Sequence, residues 1–347
     1  MDGMNALPAL AFAESFGAAY ANSAARPQPL APASSQPCDQ LTAIAHAYVE
    51  VIEDWSCTVQ NVIRLSTVAA ELVGLVDRAP QVCLGMGSHI PLHSPSLRHG
   101  FSAAILGIHL GRAIQLDARR QHTVAKAAMF MNLSSIELQD DLTAPYAVPS
   151  DAQRITLVRH PQLAADLLRD SPGADLCWIE AVEQHHESLD GTGYPAALRG
   201  DEISLEARIL KIADVWCALV APQRFHRNPM TPREAMHWLL SRSRQMFDPT
   251  LLEALRRVNG TFPPGTLVRL ANRETAIVVD APHGLARPRT VISFLGAHGR
   301  LFREPVRRDT HRSHYAIREA TTLKAVTIKP DYWNRIWEFA RPSQESH

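Results

Sequence analysis

The amino-acid sequence predicts a mainly α-helical protein that ends in a small β-rich domain. Apolar residues recur at helical spacing over most of the chain between about residues 41 and 257. After Gly260, short β-branched runs are separated by Gly, Pro and Asn, which is typical of a small antiparallel sheet or barrel. The 347 residues are also enough for about two domains, which fits this division.

The N-terminal part is predicted to change from disorder to helix near residue 39. Residues 1–38 are rich in Ala, Pro and Ser and can bury little apolar surface, so we expect a disordered leader. Over residues 39–90 apolar side chains recur at helical spacing, beginning with Leu41, Ile44 and Tyr48. We expect one or two helices here, which pack on the next domain or pair with another copy in a homodimer.

Residues 91–258 are predicted to form the main helical domain. A break at Pro91 to Pro95 precedes a long helical region that starts near Leu97. Its helices are separated by turn-rich stretches at 144–150, 171–173 and 190–195.

Residues 259–347 are predicted to form a β-rich extension. The strand-like runs are residues 266–270, 275–279 and 290–294, and residues 332–339 are expected to form a short terminal helix. A basic cluster follows the third run and consists of Arg303, Arg307, Arg308 and Arg312. Two interpretations stay open, a surface that binds a partner or nucleotide and a solvated strand edge.

Composition limits the classes of partner and compartment. Lys and Arg together number 35, as do Asp and Glu, so no global charge favours a nucleic acid polymer or a membrane surface. The five cysteines are scattered and odd in number, which argues against a disulfide framework and favours a reducing cytosol. The start of the chain lacks a basic secretory signal, and the Ala-rich stretch 6–21 is too short to span a bilayer. We therefore expect a cytoplasmic protein without a membrane partner.

The stretch from His185 to Pro195 has the residue types of a metal site. Adjacent histidines project in different directions, so both bind one ion only where a bend or a dinuclear site accommodates them. The Gly-Thr-Gly-Tyr-Pro turn that follows supplies such a bend. Asp214 lies in an apolar helical run, where burial of its carboxylate is costly without a cation or hydrogen-bond donors. Imidazole and carboxylate ligands suit Fe, Mn or Zn.

The segment HHE-x2-DGxGYP, at residues 185–195, resembles the HD-GYP family. The resemblance covers about residues 97–257 and includes Ala213-Asp214-Val215 and Phe247-Asp248-Pro249. It implies an all-helical HD-type domain with two or three metal ions, often iron or manganese. Members hydrolyse the phosphodiester bonds of cyclic di-GMP, and some bind GGDEF-type diguanylate cyclases through the GYP region.

The resemblance assigns site residues position by position. The metal ligands that it implies are His99, His160, His185, His186 and Asp214. The interaction segment that it implies is Gly193, Tyr194 and Pro195. Two interpretations stay open for Arg208, Arg224 and Arg227, pairing with nucleotide phosphates and a solvated position on the helical surface.

The sequence departs from the family at the motif that gives the family its name. A member reads LLHDIGK where this chain has Met131, Asn132 and Ser135 at the His, Asp and Lys positions. A thioether is a poor ligand for these metals, and a neutral amide cannot replace the charge of a bridging carboxylate. The first metal position then keeps only His99 and Asp214. The three remaining histidines can still hold one divalent ion (Fe, Mn or Zn), and an empty site is the alternative.

Three hypotheses about function follow. In the first, the domain has lost phosphodiesterase activity and acts as a binding or regulatory module, with cyclic di-GMP or a GGDEF-type protein as partner. In the second, a three-histidine metal supports weak or altered phosphodiesterase activity, with Asp190 or Glu187 assisting proton transfer. In the third, His185 and His186 only cap helices, and neither metal nor nucleotide binds.

Overall fold

The computed structural model describes residues 36–144, 147–221, 229–242, 246–280, 287–321 and 328–340. Most of the predicted leader, residues 1–35, lies outside them. The predicted N-terminal helical segment contains α1 (Pro37–Glu53), α2 (Val59–Arg78) and α3 (Pro80–Gly87). Proline occupies the first turn of α1 and of α3, where its missing N–H costs no hydrogen bond. The hydroxyl of Thr58 caps α2 by accepting from a backbone N–H of the first turn.

The helical region continues through the segment that resembles an HD-type domain. Its helices are α4 (Pro95–Ala113), α5 (Ala118–Phe130), α6 (Ile136–Asp141), α7 (Asp151–Arg169), α8 (Leu176–Gln184), α9 (Leu205–Val220), α10 (Pro232–Ser241) and α11 (Pro249–Asn259). Most of them begin at a Ser, Thr or Asp whose side chain accepts from a first-turn N–H, as Asp117 does for α5 and Asp175 for α8. These caps fix where each helix starts, and hence the direction in which its side chains project.

Helix α4 lies at the centre of the helical region. It packs against α5, α9, α11 and α3 and is buried on almost every side, as expected for a helix that is apolar all round. Its first turns carry His99, which is 4% exposed. The helical core therefore holds one of the predicted metal ligands on its central, most buried helix.

The C-terminal part forms a five-stranded antiparallel sheet in the order β4-β3-β2-β1-β5. The strands are β1 (Leu267–Leu270), β2 (Thr275–Val278), β3 (Thr290–Leu295), β4 (Leu301–Asp309) and β5 (Ile317–Ala320), and α12 (Pro330–Phe339) follows them. The three predicted runs coincide with β1, β2 and β3, and the predicted terminal helix coincides with α12. The prediction of a mainly α protein with a small C-terminal β region is confirmed.

The sheet and the helices share one hydrophobic core. Ile277, Ile292 and Phe294 from the sheet belong to the same buried cluster as the helical residues, and so does Trp337 from α12. Trp337 is 1% exposed and lies directly over Gly85 of α3, where an added Cβ would overlap the indole ring. The opposite face of the sheet buries a separate, smaller apolar cluster. The sheet is therefore attached to the helices by packing as well as by the chain.

Within the described part of the chain, α2 has the length and apolar composition of a membrane-crossing helix. Core helices of folded domains meet the same criterion. Leu65, Leu72 and Val76 of α2 lie in the main core, where the helix packs against α1 and α5. The apolar composition of α2 is thus accounted for by packing within the fold.

A three-histidine cluster as the candidate metal centre

Three of the predicted ligands meet at the ends of α7 and α8. His160 lies in α7, and His185 and His186 directly follow the last residue of α8. One potential ligand nitrogen from each ring lies within 4.8 Å of the others. His160 and His185 are buried, and His186 is half-buried.

The hydrogen bonds of His160 and His185 determine which ring nitrogen carries the proton. Nδ1 of His160 lies 2.6 Å from the carbonyl oxygen of Leu157, and Nδ1 of His185 lies 2.6 Å from that of Val182. A carbonyl oxygen only accepts, so each Nδ1 carries a hydrogen and each Nε2 of a neutral ring presents a lone pair. Backbone carbonyls orient metal-binding histidines in this way.

The two Nε2 atoms face each other across 3.2 Å. Two lone pairs at this separation repel unless a proton or another cation lies between them. Burial lowers the pKa of His185, with attraction to Asp214 opposing that shift only in part, so protonation is disfavoured. A metal cation shared by the rings satisfies both lone pairs, and this donor set fits a single divalent ion.

The third histidine is held by the loop that follows it. The ring of His186 stacks on Tyr194, with centroids 4.8 Å apart and an interplanar angle of 26°. Nζ of Lys211 donates to the backbone carbonyl of His186 at 3.1 Å. Burial and then the neighbouring histidines place the pKa of His186 well below its usual range. The ring is therefore neutral and positioned beside the other two.

The loop from Glu187 to Leu198 is closed by the carboxylate of Glu187, which is 1% exposed. Its two oxygens accept from the backbone N–H groups of Ala196 at 2.6 Å and Leu198 at 3.1 Å. Gly193 passes so close to this residue that a Cβ there would overlap the backbone of Glu187 and Ser188. Glu187 thus shapes the loop, and Pro195 is left exposed on its surface.

Asp190 has a different environment from Glu187. One of its oxygens accepts from both the backbone N–H and the hydroxyl of Thr192, at 3.0 and 2.6 Å. These bonds lower the pKa of Asp190, so the carboxylate is ionised at neutral pH.

The other two predicted ligands, His99 and Asp214, are hydrogen-bonded to each other near the histidine cluster. Nε2 of His99 lies 2.6 Å from Oδ1 of Asp214, and both side chains are largely buried. Burial alone would raise the pKa of Asp214, but the hydrogen bond from His99 and the nearby histidines hold it well below its ordinary value.

The residues at the altered family motif are incorporated into the core. Met131 is fully buried, and Oδ1 of Asn132 accepts from the side-chain amide of Gln139 at 2.9 Å. The same Gln139 nitrogen donates to Oγ of Ser135 at 2.7 Å. An amide network therefore occupies the position at which the family resemblance implies a metal-bridging carboxylate. Gln139 could not be identified from the sequence, because it lies outside every motif.

The predicted phosphate-binding arginines are only partly described. Nη1 of Arg208 pairs with Asp248 at 3.2 Å and with Asp201 at 3.6 Å. Arg224 and Arg227 lie outside the described residues.

The chain is similar to an HD domain family and to several known phosphodiesterases. Residues 89–251 match the HD domain family. The chain is similar to a cyclic di-GMP phosphodiesterase of Pseudomonas aeruginosa, with 26% identity over 231 residues, 66% of this chain and 55% of that protein. It is also similar to a cyclic di-GMP phosphodiesterase response regulator of Xanthomonas campestris pv. campestris, with 32% identity over 144 residues, 41% of this chain and 38% of that protein. A 3'3'-cGAMP-specific phosphodiesterase of Vibrio cholerae is 40% identical over 208 residues, 59% of this chain and 44% of that protein. The chain thus spans about half or less of the length of these curated relatives.

A solved structure shows the same fold. An HDG"Y"P protein from Bdellovibrio bacteriovorus superposes with a TM-score of 0.52 at 19% sequence identity. The superposition covers 63% of this chain and 70% of that chain. At this identity the likeness concerns the fold alone.

Proposed function

We propose, from the premise that residues 89–251 form an HD domain, that the chain is a degenerate HD-GYP protein of cyclic di-GMP signalling. In this proposal it is catalytically impaired and acts as a binding or regulatory module. Relatives named as cyclic di-GMP phosphodiesterases support the choice of nucleotide.

The observation that carries the proposal is the amide network of Asn132, Gln139 and Ser135. Two-metal hydrolysis uses one ion to activate the attacking water and the pair to stabilise the attacking and leaving oxygens. Here the bridging position is occupied by a neutral amide that is already hydrogen-bonded to Gln139. His99 and Asp214 are bonded to each other. In this proposal the two-metal route is lost, while the three-histidine position is retained.

The retained residues are suited to binding. His160, His185 and His186 would hold one Fe, Mn or Zn ion, which when bound supplies positive charge for a phosphate oxygen of the nucleotide. The carbonyls of Leu157 and Val182 orient two of the rings. Glu187 fixes the loop that stacks Tyr194 on His186.

The exposed part of the same loop supports a protein partner. Pro195 is exposed and Gly193 and Tyr194 are half-buried, so this segment is accessible next to the histidine cluster. We propose that it contacts a GGDEF-type diguanylate cyclase, as the family resemblance implies.

A second candidate function is weak phosphodiesterase activity, which the cation-requiring geometry of His160 and His185 favours. Between the two carboxylates considered for proton transfer, Asp190 suits the role better. It lies near the surface and the bonds from Thr192 go to one of its oxygens, whereas both oxygens of Glu187 accept backbone hydrogen bonds.

The experiment that separates the two functions measures turnover and binding in one preparation. The protein is reconstituted anaerobically with Fe(II) or Mn(II), metal content is determined, and cyclic di-GMP is added. We expect bound nucleotide without pGpG or GMP, and loss of that binding in a His185→Ala, His186→Ala double variant. Turnover that disappears in the double variant would establish the phosphodiesterase function. Absence of both turnover and binding, at full metal content, would exclude cyclic di-GMP as the ligand.

A further inference from the structure

A cavity lies where the helical region meets the C-terminal sheet. Its volume is about 280 Å³, and its walls come from α3, α4, α9, the end of α11 and the turn that leads into β1. His99 belongs to its lining, but none of the three clustered histidines does. The cavity is therefore distinct from the three-histidine site, and a ligand there does not depend on the proposed function.

One wall of the cavity contains a polar side chain without a partner. Asn259, the last residue of α11, is 1% exposed and lines the cavity. Its side-chain nitrogen and oxygen are both buried, and neither has a hydrogen-bond partner among the residues that the structure describes. Buried polar groups are seldom left unsatisfied, and each such group costs about 1–3 kcal/mol. The amide therefore offers a donor and an acceptor that a ligand in the cavity can use.

A second wall contributes a cation. Arg98 of α4 lines the cavity, and burial lowers the pKa of its guanidinium, with an attraction to Asp140 acting against that shift. Within the described ranges its side chain forms neither a hydrogen bond nor an ion pair within 4.0 Å. A partly buried guanidinium in this setting is matched by a carboxylate or phosphate group, which it can bind through two parallel hydrogen bonds.

The rest of the lining limits the size and polarity of a ligand. It is largely apolar and includes Leu84, Ile105, Leu106, Trp216, Val220 and Met230. The volume lies at the lower end of ligand pockets, about 300–1,000 Å³, so a cyclic dinucleotide could not be enclosed whole. A ligand that fits has a compact apolar body, one anionic group and one further polar group.

We propose that this cavity binds a small organic anion, with Arg98 pairing with the anionic group and Asn259 with a second polar group. The apolar body lies against Trp216 and its aliphatic neighbours. A site between α4, α9 and the sheet receives contacts from both parts of the fold, a common location for ligand pockets.

The test uses a defined set of probes on the full chain. The anions are 4-hydroxyphenylacetate, indole-3-acetate, octanoate and phenyl phosphate, and 4-hydroxyphenylacetamide serves as the neutral counterpart of the first. Binding is measured by saturation-transfer NMR and by the quenching of tryptophan fluorescence. We expect at least one anion to bind and the neutral amide to bind at least about tenfold more weakly, because it cannot form the charge-assisted bonds. Comparing the affinities of the carboxylates with that of phenyl phosphate shows whether the cavity prefers a carboxylate or a phosphate group.

Variants locate the binding in the cavity. Arg98→Met should weaken the best anion at least about tenfold. Asn259→Leu removes both unsatisfied groups, so it should weaken binding while the protein becomes no less stable, a combination that a purely structural role would not give. Ala320→Leu fills the cavity without removing a polar group and should also reduce binding. Arg335→Met changes an exposed arginine paired with Glu304 and serves as the matched control.

The proposal is overturned if no anion in the set binds, or if anion and neutral amide bind equally. It is also overturned if Arg335→Met weakens binding as much as Arg98→Met does. Circular dichroism establishes that each variant is folded. If Arg98→Met does not fold, unchanged binding in both Asn259→Leu and Ala320→Leu excludes the cavity as the site.

Discussion

Two imidazole nitrogens facing each other across 3.2 Å define the chemistry of the cluster at the scale of the residue. Since both Nδ1 atoms bond to backbone carbonyls, the two Nε2 atoms point at the position that a shared cation would occupy. Replacing His160 with Ala should lower metal affinity by more than about 100-fold, because loss of a direct ligand exceeds the effect of outer-shell changes. Metal per chain after gel filtration, measured by mass spectrometry, checks this.

His298→Ala is the matched control, since His298 is exposed on the turn between β3 and β4. Equal metal content in the two variants would show that the ion binds elsewhere or that the cluster is purely structural.

The altered motif can be tested by restoring it. In the double variant Met131→His, Asn132→Asp, the imidazole and the carboxylate that the family resemblance implies return to the altered motif. We expect the metal content to rise from about one to about two ions per chain, as a two-metal site requires. Metal analysis with a cyclic di-GMP turnover assay measures the change. A content that stays at one ion would show that the surrounding packing, and not the two side chains alone, excludes the second metal.

Lys211 makes stability depend on pH. Burial lowers its pKa from 10.5 to about 8, and attraction to Asp214, Glu187 and Asp190 opposes that shift only in part. Between those values the unfolded chain binds more protons than the folded chain, so the free energy of unfolding rises as pH increases from about 8 to 10.5. The full difference is about 3 kcal/mol.

Urea denaturation at several pH values between 7 and 10.5, compared with Lys211→Met, measures this contribution of Lys211. The variant lacks the ammonium group, so its stability should rise less with pH across the window. Parallel pH profiles in the two proteins would contradict the assignment.

Only part of the candidate site could be predicted from single residues. The paired histidines and the Gly-Thr-Gly-Tyr-Pro turn are contiguous, so their chemistry is visible in the sequence. Gln139 and Lys211 act through neighbours that folding brings close, and no local pattern marks them. The position of Glu187 in the motif suggests a proton carrier, but in the folded loop both of its oxygens accept backbone hydrogen bonds.

At the scale of the element, the loop after α8 depends on the close approach of Gly193 to Glu187. Gly193→Ala adds a methyl group where backbone atoms already lie, and the strain should lower stability by at least about 1–3 kcal/mol. The displaced loop should also separate Tyr194 from His186 and reduce metal content. Chemical denaturation and metal analysis of the same samples measure both effects.

Gly74→Ala provides the comparison, because that glycine lies inside α2 and meets only the flexible end of Arg78. There Ala should be neutral or stabilising by about 0.5–1 kcal/mol. If Gly193→Ala lowered the free energy of unfolding no more than Gly74→Ala does, the proposed role of the loop would be contradicted.

The sequence predicted elements well where polarity patterns are regular. The helical region and the first three strands follow from apolar spacing and β-branched runs. Strand β4 was missed because its sequence is dominated by charged residues, and Arg308 on it bonds to Glu274 at 2.7 and 2.9 Å. Strand β5 is short and lies at the sheet edge, beside β1. In both β4 and β5, hydrogen bonding to a neighbouring strand stabilises the strand even though the local sequence has little strand propensity.

At the scale of the whole molecule, the shared core implies that helices and sheet unfold together. Trp337→Ala leaves a cavity between α12 and α3 and should lower the free energy of unfolding by about 3–5 kcal/mol. Helix content and tryptophan fluorescence should still change in one coincident transition. Phe339→Ala, on the exposed side of the same helix, should have little effect. Two separate transitions in the unaltered protein would show that the C-terminal region is an independent unit.

The indole of Trp337 over Gly85 also constrains how the gene can diversify. A larger residue at position 85 is acceptable only if position 337 becomes smaller, so these distant codons should change in concert. If recombination exchanged only the C-terminal region, the residue at position 337 would face a residue at position 85 that does not match it in size. We therefore expect related proteins to inherit the helical region and the C-terminal sheet together. New domains should be added before the helical region or after the sheet, and not between them.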